Sequence, residues 1–309
     1  MNRIVSLLPS ATEIIVALAA ENRLVGRSHE CDYPASVRSL PACTASRLDT
    51  DASSQEIDRV VKLVVKDALA IYEVKEDVIC RLAPDVIVTQ DQCDVCAVSL
   101  AEVEAVVAAL TGTATSIVTL HPNNLTAALR DIHNVGKAIG ATDLAGSLIR
   151  SIEERRNAIA IKATSLEHPT VACIEWTDPL MAAGNWVPEL VTFAGGRDVF
   201  GTPGKHAPWI TMGKIEQVDP EVIIFMPCGF GLERCRTEAG LVAKRPGWKK
   251  LRAVQAGRVF VTDGNSYFNR PGPRLAESLE ILVEILHPNV FSFGHDVANG
   301  GDGWMPLLA

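Results

Sequence analysis

Aromatic residues make up only 5 % of this 309-residue chain, and no apolar stretch approaches bilayer length. A spanning helix needs about 20 consecutive apolar residues, so membrane insertion by a helix is not expected. Positive charge is also in short supply. The 29 Lys and Arg against 37 Asp and Glu leave a net charge of −8, and no Lys/Arg cluster stands out. Nucleic acid and anionic membrane surfaces are therefore not the expected partners. Glycine is missing where a nucleotide enzyme needs it, because Leu8-Pro9-Ser10-Ala11-Thr12 cannot cradle a phosphate. Neither a G-x-S-x-G elbow nor an H-E-x-x-H zinc helix occurs. Cys93-Asp94-Val95-Cys96 has no second C-x-x-C to complete a structural zinc site. No basic-plus-apolar leader precedes Arg3-Ile4-Val5-Ser6-Leu7-Leu8, which already reads as a strand. As written, the chain is expected in the cytoplasm; removal of a leader would instead make it periplasmic.

What is present is a repeat. Leu82-Ala83-Pro84-Asp85-Val86-Ile87-Val88-Thr89-Gln90-Asp91-Gln92-Cys93 is echoed by Val218-Asp219-Pro220-Glu221-Val222-Ile223-Ile224-Phe225-Met226-Pro227-Cys228. In each, a Pro/acid pair opens an unbroken β-branched run that ends in a loop carrying Cys. A run apolar on both faces suits a strand in a covered parallel sheet, where ligands bind beyond the carboxyl ends. The expected fold is α/β: two similar lobes with central parallel sheets, their strand ends facing one inter-lobe cleft.

The expected division is 1–122 for the first lobe, 123–166 for a helical connection, 167–290 for the second lobe and 291–309 for a loosely ordered tail. In the first lobe, strand 3–8 feeds a helix near 12–20 that Ser10 or Thr12 is placed to cap. Ser53-Ser54-Gln55-Glu56 opens like a capping box, and residues 53–80 read as two helices. From Asn123 to about Thr164 the pattern is helical, restarting at Thr142-Asp143 after Gly140. A helix of about 22 residues spans roughly 33 Å and reads as a stiff spine joining the lobes. In the second lobe Gly195-Gly196 closes a short helix, where glycine relieves a left-handed cap.

Eight cysteines at scattered spacings do not make a disulfide framework. Cys31, Cys93, Cys96 and Cys228 fall at strand ends, and thiolates converging from separate loops bind soft metals such as zinc or copper(I). The plainer reading is that cysteine is a small, often buried hydrophobe, favoured for Cys43, Cys80, Cys173 and Cys235. A thioredoxin-like use of Cys93 and Cys96 fits less well, since that motif should open a helix and the next helix begins near Ser99. The scarce aromatics concentrate in the same loops: Tyr33, Trp176, Trp186, Trp209, Phe230, Tyr267 and Phe268. Such placement suits a flat, largely apolar ligand, although any one of these rings could equally be loop packing.

Ser6-Leu7-Leu8-Pro9-Ser10-Ala11-Thr12-Glu13, Cys31-Asp32-Tyr33-Pro34, Leu82-Ala83-Pro84-Asp85-Val86-Ile87, Ala207-Pro208-Trp209 and Tyr267-Phe268-Asn269-Arg270-Pro271-Gly272-Pro273-Arg274 follow one another in a familiar order. Over roughly 3–287 the chain resembles the helical-backbone substrate-binding proteins of ABC importers, closest to the vitamin B12 branch. The resemblance implies two Rossmann-like lobes joined by one long helix, with a corrinoid held between them against aromatic loops. Tyr33 matches the tyrosine of the Asp-Tyr-Pro loop and Trp209 the tryptophan of the Pro-Trp segment. Tyr267 matches an aromatic preceding Phe and Arg, and Trp176 more loosely an aromatic ending the second lobe's first strand. The acidic pair that docks such proteins on an importer's membrane subunits has no placeable counterpart, so importer docking is not expected.

The expectation is thus a non-enzymatic binding protein with a small-molecule ligand, cobalamin or a related corrinoid, in the cleft. Tyr33, Trp176, Trp209 and Tyr267 would supply apolar faces, and Arg270 and Arg274 would pair with polar groups of the ligand. Cys93 and Cys228 would stand close to it, and Cys31, Cys93, Cys96 or Cys228 would offer sulfur to cobalt or another metal. The alternatives are a thiolate metal site for sensing or storage and a thiol redox enzyme.

Overall fold

A computed structural model describes residues 2–66, 71–91, 100–109 and 114–307. The chain divides into two compact units, Met1–Pro122 with Thr126–Ser151, and Asn123–Leu125 with Ile152–Ala309. Two departures from the expected division stand out. The helical stretch expected over 123–166 is divided between the two units, and the 291–309 segment falls in the second.

The first unit runs β1 (Ile4–Ser6), α1 (Pro9–Ala17), β2 (Leu24–Arg27), β3 (Thr44–Ser46), α2 (Ser54–Lys66), β4 (Tyr72–Val74), α3 (Glu76–Leu82), β5 (Val86–Gln90), α4 (Leu100–Ala109), β6 (Ser116–Leu120) and α5 (Leu125–Ala138). Helix α6 (Thr142–Ala163) follows, with its residues to Ser151 in this unit and the remainder in the second. The sheet order is β2-β1-β5-β6, and every pairing is parallel. Strand β5 is central and buried along its whole length, as its unbroken apolar run requires. Ile87 joins Val5, Leu7, Cys43, Ile79 and Val103 in one core cluster. Each fully buried side chain of this size contributes about 1.5–3 kcal/mol.

Local details depart from sequence expectation in two places. Helix α1 starts at Pro9 with no side-chain cap, because proline at the first turn needs no amide partner. Thr12 instead lies inside the helix, with its Oγ1 2.8 Å from Ser6 Oγ and 3.0 Å from Cys31 Sγ. Between the two helices expected over 53–80, the chain inserts β4, which pairs antiparallel with β3. The capping site does form: Ser53 Oγ accepts the Glu56 amide at 3.2 Å. Glu56 turns to Arg59 rather than back to the cap.

The second unit runs β7 (Thr170–Thr177), β8 (Leu180–Ala182), α7 (Val187–Phe193), β9 (Arg197–Asp198), α8 (Met212–Val218), β10 (Val222–Phe225), α9 (Leu232–Val242), α10 (Arg252–Gln255), β11 (Val259–Thr262), α11 (Leu275–Leu286) and β12 (Trp304–Pro306). Its sheet order is β12-β11-β10-β7-β8, with β9 also on β7. Strands β11, β10 and β7 are parallel, while β8 and β12 close the two ends antiparallel. All four residues of β10 are buried. Gly195 takes φ +79° at the end of α7, the left-handed cap read from the sequence.

The expected loose tail is the main correction. Residues 304–306 form β12 on the edge of β11, and the Trp304 indole donates to Glu284 Oε2 at 2.8 Å. Glu284 also accepts the Gly294 amide at 2.8 Å, and His295 Nε2 lies 3.0 Å from Glu280 Oε2. Arg155 on α6 completes the network, reaching Glu280 with Nη2 at 2.7 Å and Nε at 3.0 Å. The glycine-rich composition of this segment hid the anchors, because each partner lies far away on α11 or α6.

Candidate functional site

In the second unit, strands β7, β10 and β11 are parallel neighbours, so the loops after them leave the same edge of the sheet. Trp176 stands near the end of β7. The Cys228 amide, in the loop after β10, donates to the Glu175 carbonyl at 3.2 Å, seating that loop beside Trp176. Phe230 brings its ring to 5.2 Å from Trp176 at a 44° tilt. Over Phe230 lies the Arg234 guanidinium, its carbon 3.6 Å from the ring centroid. A cation over an aromatic ring is attracted by the negative face of the π system. The Trp176 Nε1 is shielded from solvent and has no hydrogen-bond partner among the described residues.

The loop after β11 is shaped by its own polar groups. Asp263 Oδ1 accepts the amides of Asn265 at 2.9 Å and Ser266 at 2.7 Å, and burial raises its carboxyl above the ordinary range. The Asn265 amide reaches the Phe230 carbonyl at 3.0 Å, stitching the two loops together. Gly264 permits that closeness, since a Cβ there would stand 2.1 Å from the Pro227 carbonyl oxygen. Phe268 takes φ +58°, and its carbonyl is held by the Trp186 indole at 2.6 Å. Arg270 is 6 % exposed, with Nη2 donating to Asn265 Oδ1 at 2.9 Å. Of the sequence-named residues, this edge gathers Trp176, Cys228, Tyr267 and Arg270. Trp209 lies apart on the β8 side, bridged to Met181 and 55 % exposed.

In the first unit the loop after β2 carries His29, Cys31 and Tyr33. Tyr33 is 50 % exposed, whereas Cys31 is buried against Thr12. His29 packs edge-on to Tyr72, and its Nδ1 lies 2.7 Å from Thr44 Oγ1. Burial, followed by Lys75 and Arg27, lowers its pKa to about 4, so the ring is neutral at physiological pH. Beyond β5 and β6, His121 pairs with Asp91 while its amide donates to the buried Asp131 at 2.9 Å. Cys93 and Cys96 lie outside the described residues. Among the described residues, no group of three or more His, Cys, Asp or Glu is arranged to hold a metal ion. Burial raises Cys43 and Cys235 to about 12, so both are protonated packing thiols, as read from the sequence.

Sequence reasoning passed over Arg234. It stands one turn along from Phe230, but that spacing alone does not distinguish a stacked guanidinium from a solvated one. Asp302 was also missed, because it touches Tyr267 only through the fold of the last segment.

A parallel α/β unit occurring twice, with rings and guanidinium groups at a strand-end edge, is the architecture of a solute-binding protein. The chain belongs to the periplasmic binding protein family, whose match spans residues 4–265. It is 24 % identical over 299 residues to an uncharacterized ABC transporter substrate-binding lipoprotein, YvrC, of Bacillus subtilis, covering 94 % of this chain and 81 % of that one. Among solved structures it resembles the periplasmic heme-binding protein RhuT of Roseiflexus, at TM-score 0.70 and 22 % identity, covering 93 % and 98 % of the two chains. It also resembles the periplasmic vitamin B12 binding protein BtuF of Vibrio cholerae, at TM-score 0.65 and 19 % identity, covering 92 % and 96 %. All three relatives are named as binding proteins, in agreement with the sequence expectation of a binding protein.

Proposed function

We propose that this protein captures a flat, metal-bearing macrocycle of the corrinoid type and hands it to an ABC importer outside the cytoplasm. One observation carries the reading: the half-buried Trp176 ring, beside Cys228, tilts against a buried Phe230 that the Arg234 guanidinium covers. A macrocycle has a broad apolar face and a polar rim, and aromatic faces flanked by guanidinium groups match both. Within the second unit Trp209, about half exposed, would add apolar area, with Tyr267 as a further ring; Tyr33, also about half exposed, is the first unit's own aromatic candidate. Arg270 and Arg274 would receive carboxylate, amide or phosphate groups of the ligand. A thiolate from Cys228 would suit cobalt as a soft ligand, and the C-x-x-C of Cys93 and Cys96 is the other sulfur candidate, whereas Cys31, named from the sequence, is buried against Thr12.

The B12-binding neighbour supports a corrinoid, while the heme-binding neighbour supports the wider tetrapyrrole class. The lipoprotein relative supports work outside the cytoplasm with an importer. Neither the cytoplasmic expectation nor the expected absence of importer docking finds support in these relatives.

The test adds hydroxocobalamin and hemin separately to purified protein and records visible spectra and co-elution. A shifted cobalamin spectrum with stoichiometric co-elution is the expected result. Binding of hemin alone moves the ligand to the porphyrin class, and binding of neither removes the reading.

A further inference from the structure

Residues 291–306 supply none of the proposed ligand contacts, yet they grip the loop that supplies three of them: Tyr267, Arg270 and Arg274. The Tyr267 phenol donates to Asp302 Oδ1 at 3.1 Å, and its ring meets the His295 ring edge-on at 6.1 Å. The Arg274 guanidinium carbon lies 5.4 Å from the centroid of the same ring. One ring thus links the last segment to a candidate ligand-binding cation. The segment itself is tied at three separate places: β12 on β11, Trp304 to Glu284, and His295 to Glu280. It also passes close to α11, since a Cβ on Gly303 would stand 2.8 Å from Ile281 Cδ1.

We propose that residues 291–306 form a strap that positions Tyr267 and, through its ring, the Arg274 guanidinium for the ligand, with Asp302 as the positioning residue. The inference rests on the reading of Tyr267 and Arg274 as ligand contacts. Its physical basis is pre-organisation. A long cationic side chain must surrender its rotamer freedom when it binds, and a chain already ordered against a fixed ring surrenders less. Asp302 suits this role because its side chain is exposed, so its replacement leaves the core intact.

The test is Asp302→Asn, alone and in a Tyr267→Phe background, with hydroxocobalamin and hemin titrated by visible absorbance. Selectively 13C-labelled tyrosine adds a ligand-free readout, because the chain has only three tyrosines. The ligand taken up by the wild type is expected to bind Asp302→Asn roughly fivefold to tenfold more weakly, with little change in melting temperature. In Tyr267→Phe the same change should cost nothing further, an interdependence that a general loss of stability does not produce. Equal affinity of Asp302→Asn and wild type overturns the strap. Should the wild type bind neither macrocycle, the proposed function falls and the tyrosine spectra decide the strap alone. A single signal displaced by Asp302→Asn retains it, and an unchanged spectrum overturns it.

Discussion

Asp85 and Glu221 do the same work in the two units: each carboxylate accepts, at 2.6 Å, the amide at the start of the neighbouring parallel strand. Asp85 takes the Arg3 amide beside β1, and Glu221 takes the Thr170 amide of β7. Each follows a proline, and each proline follows a residue with positive φ that ends a helix, Ala83 at +41° and Asp219 at +47°. The Pro/acid repeat is therefore a registration device, setting where one strand begins against the next.

Replacing either acid with alanine should destabilise its unit by about 1–2 kcal/mol, the range for a hydrogen bond to a charged acceptor at a partly exposed site. For Glu221, the Thr170 amide holds the carboxyl below its ordinary range. A depressed carboxyl stabilises above its unfolded pKa and loses that contribution as pH falls. The melting temperatures of wild type and Glu221→Ala should therefore converge in acid. A gap that persists undiminished at low pH would count against this account.

Asp131 should behave in the opposite sense. It is 1 % exposed, with Oδ1 unpartnered among the described residues, and burial raises its pKa to about 6 against opposing pulls from His121 and Arg130. Asp91 adds to the rise. The folded protein takes up this proton before the unfolded chain does, so stability grows as pH falls from about 6 toward 4. Over that interval the wild type should gain up to about 3 kcal/mol relative to Asp131→Asn. Urea unfolding at pH 7.5 and pH 4.5 measures the difference, and a pH-independent gap would show that Asp131 does not titrate there.

Trp304→Ala should cost about 3 kcal/mol and expose residues 291–307 to protease, because a buried ring and its bond to Glu284 are lost together. Limited proteolysis followed by mass spectrometry reads this directly. Wild-type protein cut as readily as the variant would show that the segment is not held.

Trp209→Ala should leave the melting temperature almost unchanged, since the ring is 55 % exposed. It should weaken macrocycle binding by roughly tenfold, about 1.4 kcal/mol for one aromatic contact. Trp176→Ala should lower both affinity and stability, because that ring packs on Phe230. Visible titration beside thermal melts separates the two effects.

The central strands were legible because burial on both faces leaves an unmistakable mark: Val86-Ile87-Val88 and Val222-Ile223-Ile224 admit no polar alternation. Strands β3 and β4 were not. Three residues each, mostly half-buried, they owe their pairing to neighbours rather than to pattern. Trp176 and Cys228 could be named because they sit at the end of a readable strand or just beyond it, and Arg270 because it lies in the loop that follows one. Tyr267 could be named as well, but not its partners. Asp302 is distant in sequence, and a Gly-rich stretch carries no periodicity from which to place it.

By itself the sequence determined two parallel α/β units, their strand ends and the residues mounted there, because side-chain periodicity and turn chemistry act over a few residues. Only the tertiary structure decided which loops interlock, as Asn265 does with Phe230, and where the last segment lies. Those outcomes depend on shape and hydrogen-bond complementarity between residues far apart in the chain, which no local pattern encodes.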